Sequence, residues 1–133
     1  LCLLEQTVIS IGRGTNKQFQ IYGHSSFPKN QFSFTPKPNF GAKSPKQNGT
    51  LCYGIDLTEI KKPVRVELKW LIDAYTNFPE KSGFFLKGFN RISGINDLKI
   101  QIEQEIPESE IRKTWSQDLE KFKKIRAKYL IYP

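Results

Sequence analysis

The sequence predicts an α+β domain, with a β-hairpin or small sheet and long loops in the N-terminal half packed against two to three amphipathic helices in the C-terminal half. Three observations carry this prediction. Before residue 58, β-branched and aromatic residues gather in short runs bounded by Gly, Asn, Pro and Ser. After Pro63 the apolar positions recur instead at spacings of three and four. No internal repeat interrupts this order, and strands followed by helices point to α+β rather than to an alternating architecture. At 133 residues the chain reads as a single domain, residues 1–133. About two thirds of the unfolded surface is buried at this size, enough for a core without metals or a dense disulfide framework.

Thr7-Val8-Ile9-Ser10-Ile11 reads as the first strand, and Gly12-Arg13-Gly14-Thr15-Asn16 as the turn that follows it. Phe19-Gln20-Ile21-Tyr22 completes a hairpin. From Gly23 to Gly49 the chain is crowded with Pro, Gly, Asn, Ser and Lys and reads as loop. Phe27, Phe32, Phe34 and Phe40 are expected to tack that loop onto a surface, each buried ring contributing about 1.5 to 3 kcal/mol. Asn48-Gly49-Thr50 has the form of a glycosylation sequon but reads better as an Asn-Gly turn. Thr50 through Leu57 is the next strand.

Beyond Pro63, the residues Val64, Leu68, Leu71, Ile72 and Tyr75 share one face of a helix that stops near Asn77, ahead of Pro79. A loop through Ser82, Gly83 and Gly88 leads to a short amphipathic helix carrying Ile95, Leu98 and Ile102. Pro107 opens the last helix, where its missing N–H would have no partner anyway. Ile111, Trp115, Leu119, Phe122, Ile125 and Tyr129 then form one continuous apolar stripe.

Composition narrows the classes. With 38% apolar and 26% charged residues the chain is neither disordered nor collagenous. No apolar stretch approaches the roughly 20 residues of a spanning helix, so no membrane span is expected. The apolar start Leu1-Cys2-Leu3-Leu4 lacks the basic flank of a secretion signal. A formal net charge of +8 favours anionic partners. Its densest run, Lys121, Lys123, Lys124, Arg126 and Lys128, ends a segment that begins with Glu108 and Glu110, which matches a helix dipole better than a phosphate-binding patch. Cys2 and Cys52 read as buried neighbours first and as a disulfide second. With His24 they fall short of the four ligands of structural zinc, so neither a metal nor a cofactor is expected.

Candidate chemistry concentrates near the N-terminus. Gly12-Arg13-Gly14-Thr15 lacks the endings of a nucleotide-binding loop. Its glycines nevertheless permit positive φ, and they aim a guanidinium suited to bidentate contact with a carboxylate or phosphate. Two readings stand: a ligand-binding arginine or an ordinary turn. Glu5 is expected near Arg13, as a ligand contact or a structural ion pair. His24 reads as a solvated loop histidine, Trp70 as a core residue, and no serine sits in a nucleophile elbow.

Three blocks resemble one family. The first is Leu1-Cys2-Leu3-Leu4-Glu5-Gln6-Thr7 with Ser10-Ile11-Gly12-Arg13-Gly14-Thr15 and Phe19-Gln20. The second runs from Phe34-Thr35-Pro36 through Gly49 to Cys52-Tyr53-Gly54-Ile55. The third is Phe89-Asn90-Arg91-Ile92-Ser93-Gly94, continuing into Glu110-Ile111-Arg112, Trp115, Leu119, Phe122, Lys123, Lys124, Ile125, Arg126, Tyr129, Leu130, Tyr132 and Pro133. Together they are similar to the C-terminal domain of the bacterial exo-β-N-acetylmuramidases, over nearly the whole chain and with departures at Gln6, where the family usually has glycine, and at Pro107, where it often has a capping serine.

The resemblance implies a glycoside hydrolase that removes terminal N-acetylmuramic acid from peptidoglycan fragments. It implies an exported protein, periplasmic or extracellular, whose catalytic carboxylates lie mainly in an N-terminal Rossmann-like domain that this chain does not contain. The present chain would complete the substrate cleft, its partners being that domain and a muramic acid glycan, with no nucleic acid. Muramic acid carries a lactyl carboxylate, and Arg13 is the residue expected to recognise it. Ser10 and Thr15 are expected as hydroxyl partners, Gly14 as part of the binding turn, and Glu5 as the group that orients the arginine or a sugar hydroxyl. The rival expectation is a non-catalytic module that holds cell-wall glycan or nucleic acid.

Overall fold

A computed structural model describes residues 1–61 and 63–131. Strands β1 (Ile21–His24), β2 (Ser33–Phe34) and β3 (Cys52–Asp56) form an antiparallel sheet with β3 in the centre. Four helices follow: α1 (Lys69–Asn77), α2 (Phe89–Ser93), α3 (Asp97–Glu103) and α4 (Glu108–Ala127). The predicted α+β order, a small sheet and then helices, is therefore the observed one.

The segment predicted as the first strand departs from that reading. Cys2–Gln6 is a 3-10 helix, and Thr7–Ile11 bends at Val8 and Ile9, touching two different partners through isolated bridges instead of building a ladder. Val8 N–H donates to the Phe84 carbonyl (3.0 Å), whereas Ser10 exchanges backbone bonds with Gly23 (3.0 and 2.9 Å). The Thr7 hydroxyl donates to Leu4 O (2.8 Å) and accepts from Ile9 N–H (3.2 Å). Such local side-chain bonds compete with sheet pairing. The second arm of the predicted hairpin begins two residues later than expected, at Ile21, and pairs with β3.

Helix α1 begins at Lys69, with Leu68 as its cap, and Val64 is fully exposed outside it. Two valines in the segment 64–66 weaken helix formation there, since β-branched side chains lose rotamer freedom against the preceding turn. The predicted helix around Ile95 is two helices. Gly94 takes φ +75° and ends α2, leaving Ile95 in the connection to α3.

The core joins Leu4, Ile9, Ile11 and Tyr22 to Leu68, Leu71, Leu98, Ile102 and Ile111. At its centre is an aromatic cluster in which Phe84 meets Tyr75 edge-on (5.1 Å) and Phe85 packs on Phe89 (4.4 Å). Tyr22 ties the sheet to α1 by donating its hydroxyl to Asp73 (2.5 Å). Of the loop phenylalanines, Phe27 is buried and Phe32 and Phe34 are half-buried, but Phe40 stands fully in solvent. Trp70 is half-buried against the core.

Cys52 is buried, and burial pushes its thiol up to about 11. Cys2 is exposed, and both thiols are free. The expected buried pair is thereby corrected: the 3-10 helix turns Cys2 outward. The apolar stripe of α4 also differs from expectation. Ile111 is buried and Trp115 half-buried, but Leu119, Phe122, Ile125 and Tyr129 are exposed.

Candidate functional site

The turn after Ile11 is shaped by its glycines. Gly12 and Gly14 take φ of +78° and +82°, a region that side chains disfavour. A Cβ on Gly12 would meet the Lys17 carbonyl at 2.5 Å, and one on Gly14 the Lys37 carbonyl at 2.6 Å. Between them Arg13 projects to the surface, where its Nη2 lies 2.9 Å from Glu5 Oε1 and its guanidinium sits over the Phe19 ring at 5.5 Å. The sequence expectation of Glu5 beside Arg13 is met.

Both residues line a pocket of about 430 Å³, together with Ser10, Ile11 and residues 41–46 of the long loop. The loop is fixed there by Lys37 N–H donating to Gly14 O (2.9 Å) and by Lys46, whose ammonium donates to the carbonyls of Glu5 (2.7 Å) and Thr7 (2.5 Å). Burial pushes the Lys46 pKa down; the Glu5 carboxylate opposes that shift and the Arg13 charge adds to it. Arg13, Lys43 and Lys46 thus set three cationic residues against the one carboxylate among the described residues of the lining, Glu5. Such a concavity favours an anion.

Ser10 gives the pocket a further polar group. The residue is 2% exposed, and its hydroxyl is buried with no hydrogen-bond partner among the described residues. Buried polar groups are rarely left unpaired, so this hydroxyl calls for a partner. Thr15 is engaged otherwise: its hydroxyl donates to Gly12 O (2.7 Å) and accepts from Lys17 N–H (3.0 Å). Gly14 and Thr15 therefore shape the turn, whereas Glu5, Ser10 and Arg13 face the pocket. Sequence reasoning missed Lys46, and its one signal was a lysine after proline in a loop rich in Lys and Ser.

His24 is not the solvated loop residue that its neighbours in sequence imply. It is buried in β1 with its ring edge-on to Phe78 (4.9 Å), and burial lowers its pKa. Nδ1 accepts from Ser26 N–H (3.0 Å), and Nε2 lies 2.8 Å from the Gln47 amide nitrogen. With both nitrogens occupied it is a structural histidine. Among the described residues no cluster of His, Cys, Asp or Glu could hold a metal ion.

One carboxylate bound to an arginine does not make a hydrolytic centre, because glycoside cleavage ordinarily takes two carboxyl groups across the bond. What the pocket offers is recognition of an anionic group. A family model described as "Exo-beta-N-acetylmuramidase NamZ, C-terminal" matches residues 1–132. The chain belongs to this family. The peptidoglycan β-N-acetylmuramidase NamZ of Bacillus subtilis (strain 168) is 32% identical over 98% of the chain, which spans 35% of that protein. The crystal structure of a DUF1343 family protein from Bacteroides fragilis NCTC 9343 is 37% identical, with a TM-score of 0.93. It matches 98% of this chain, which spans 38% of the crystallised one. The chain thus spans just over a third of the length of each of these two proteins.

Proposed function

We propose that this chain is the C-terminal, substrate-recognising part of an exo-acting peptidoglycan β-N-acetylmuramidase whose catalytic carboxylates lie in the preceding part of the longer protein. The observation that carries the reading is the cationic pocket lined by Arg13, held out between Gly12 and Gly14, and by Ser10, whose hydroxyl has no partner among the described residues. N-acetylmuramic acid differs from N-acetylglucosamine by a lactyl ether ending in a carboxylate, and the pocket supplies a charge-assisted partner for that group. Substrate in the cell wall implies an exported location, periplasmic or extracellular. A nucleic-acid module is less well supported, because many α4 cations are neutralised in place: Lys113 by Glu110, Lys121 by Asp118 and Lys123 by Glu120.

The test is hydrolysis by the full-length protein of chromogenic β-N-acetylmuramide and β-N-acetylglucosaminide, run in parallel. Release from the muramide alone is expected. Equal rates on both sugars, or no release from either together with DNA binding that weakens steeply with salt, would overturn the reading.

A further inference from the structure

Helix α4 carries an apolar face that the rest of the chain does not use. Its 20 residues extend about 30 Å at about 1.5 Å per residue. Only the first turns are anchored, through buried Ile111 and half-buried Trp115. Beyond them the same stripe continues into solvent, with Leu119 49%, Phe122 58% and Ile125 55% exposed, followed by Tyr129 at 78%. A solvated helix has no physical reason to keep such a stripe; contiguous exposed apolar surface marks a contact. The stripe runs into an apolar groove of about 950 Å³, lined by Leu1, Leu3, Trp70, Trp115 and Leu119 among others.

We infer that this face and groove are the surface onto which the preceding part of the longer protein packs. Two observations choose that occupant. The relatives carry roughly two thirds of their length outside the matched region, and the matched family is the C-terminal one, so that length precedes it. Leu1, Cys2 and Leu3 line the groove, so chain leading into Leu1 arrives at this surface. The inference rests on the proposed place of the chain at the C-terminal end of a longer protein, and not on which sugar that protein cleaves.

Hydroxyl-radical footprinting of the full-length protein, read by mass spectrometry over a hundredfold range of concentration, tests it. Phe40, fully exposed on its loop, serves as the internal reference. Phe122 and Tyr129 are expected to oxidise at least fivefold more slowly than Phe40, to the same degree at every concentration. Reactivity equal to that of Phe40 would overturn the inference, and protection that grows with concentration would assign the face to a second copy instead. The Phe122→Ser, Ile125→Ser double variant changes side chains that are exposed in this chain, and it should speed limited proteolysis between the two parts about tenfold. Unchanged proteolysis would also count against the inference. A full-length protein that protects Phe122 yet cleaves no muramide would sink the proposed function and leave this surface assigned.

Discussion

The ammonium of Lys46 donates to the main-chain carbonyl of Glu5, the residue whose carboxylate pairs with Arg13. A loop lysine therefore fixes the backbone of the residue that fixes the arginine, and all three face one pocket. Replacing Lys46 by alanine leaves the carbonyls of Glu5 and Thr7 without this donor in a partly buried site. Bonds to charged groups contribute about 1.5 to 3 kcal/mol, so urea unfolding should register a loss of that order. A loss below about 0.5 kcal/mol would mean that water replaces the ammonium without penalty.

Arg13 lines the pocket with its side chain half-exposed. Arg13→Ala in the full-length enzyme should lower kcat/KM on muramic acid substrates by roughly 10- to 100-fold, the equivalent of about 1.5 to 3 kcal/mol of lost charge-assisted binding. Thermal stability should hardly change, because exposed ion pairs contribute about 0 to 1 kcal/mol. Unaltered kinetics would reduce Arg13 to a turn residue.

Burial holds the His24 pKa below its ordinary value, and Nδ1 already accepts the Ser26 N–H, so a second proton there has no acceptor. The unfolded chain consequently takes up a proton that the folded chain refuses. Stability contributed by neutral His24 is complete above the unfolded pKa of about 6.5 and is lost as pH falls below it. The melting temperature should drop between pH 7.5 and 5.5, and His24→Gln should flatten that part of the curve. A variant with the parental slope would assign the dependence to other groups.

The two cysteines should differ sharply toward alkylating reagents. Cys2 is exposed, whereas Cys52 is buried with its thiol raised to about 11. Thiolate is the reactive form. Iodoacetamide on native protein should label Cys2 and spare Cys52 until denaturant is added, as intact mass will report. Early double labelling would mean that β3 opens readily.

What could be read from the sequence follows from locality. The glycine-flanked turn and its nearness to Glu5 are short-range features, and the helix α4 announces itself by period alone. Lys46 lies 41 residues from the carbonyl it reaches, and nothing local encodes that distance. Phe84, Phe85 and Phe89 lie between and beside Gly83 and Gly88 in a segment that reads as loop, so their role as core was hidden although their bulk was visible. Thr7–Ile11 has strand composition, but its threonine makes local bonds that the composition does not register. Periodicity located the apolar side of α4; it carries no information on what covers that side.

The two tryptophans of the chain, Trp70 and Trp115, both line the apolar groove beside α4 and both remain half-buried. Their indoles therefore sit where water is displaced whenever that groove is filled. Intrinsic emission of this domain becomes a built-in gauge of its assembly, shifting to shorter wavelength as the groove dries, with no label attached.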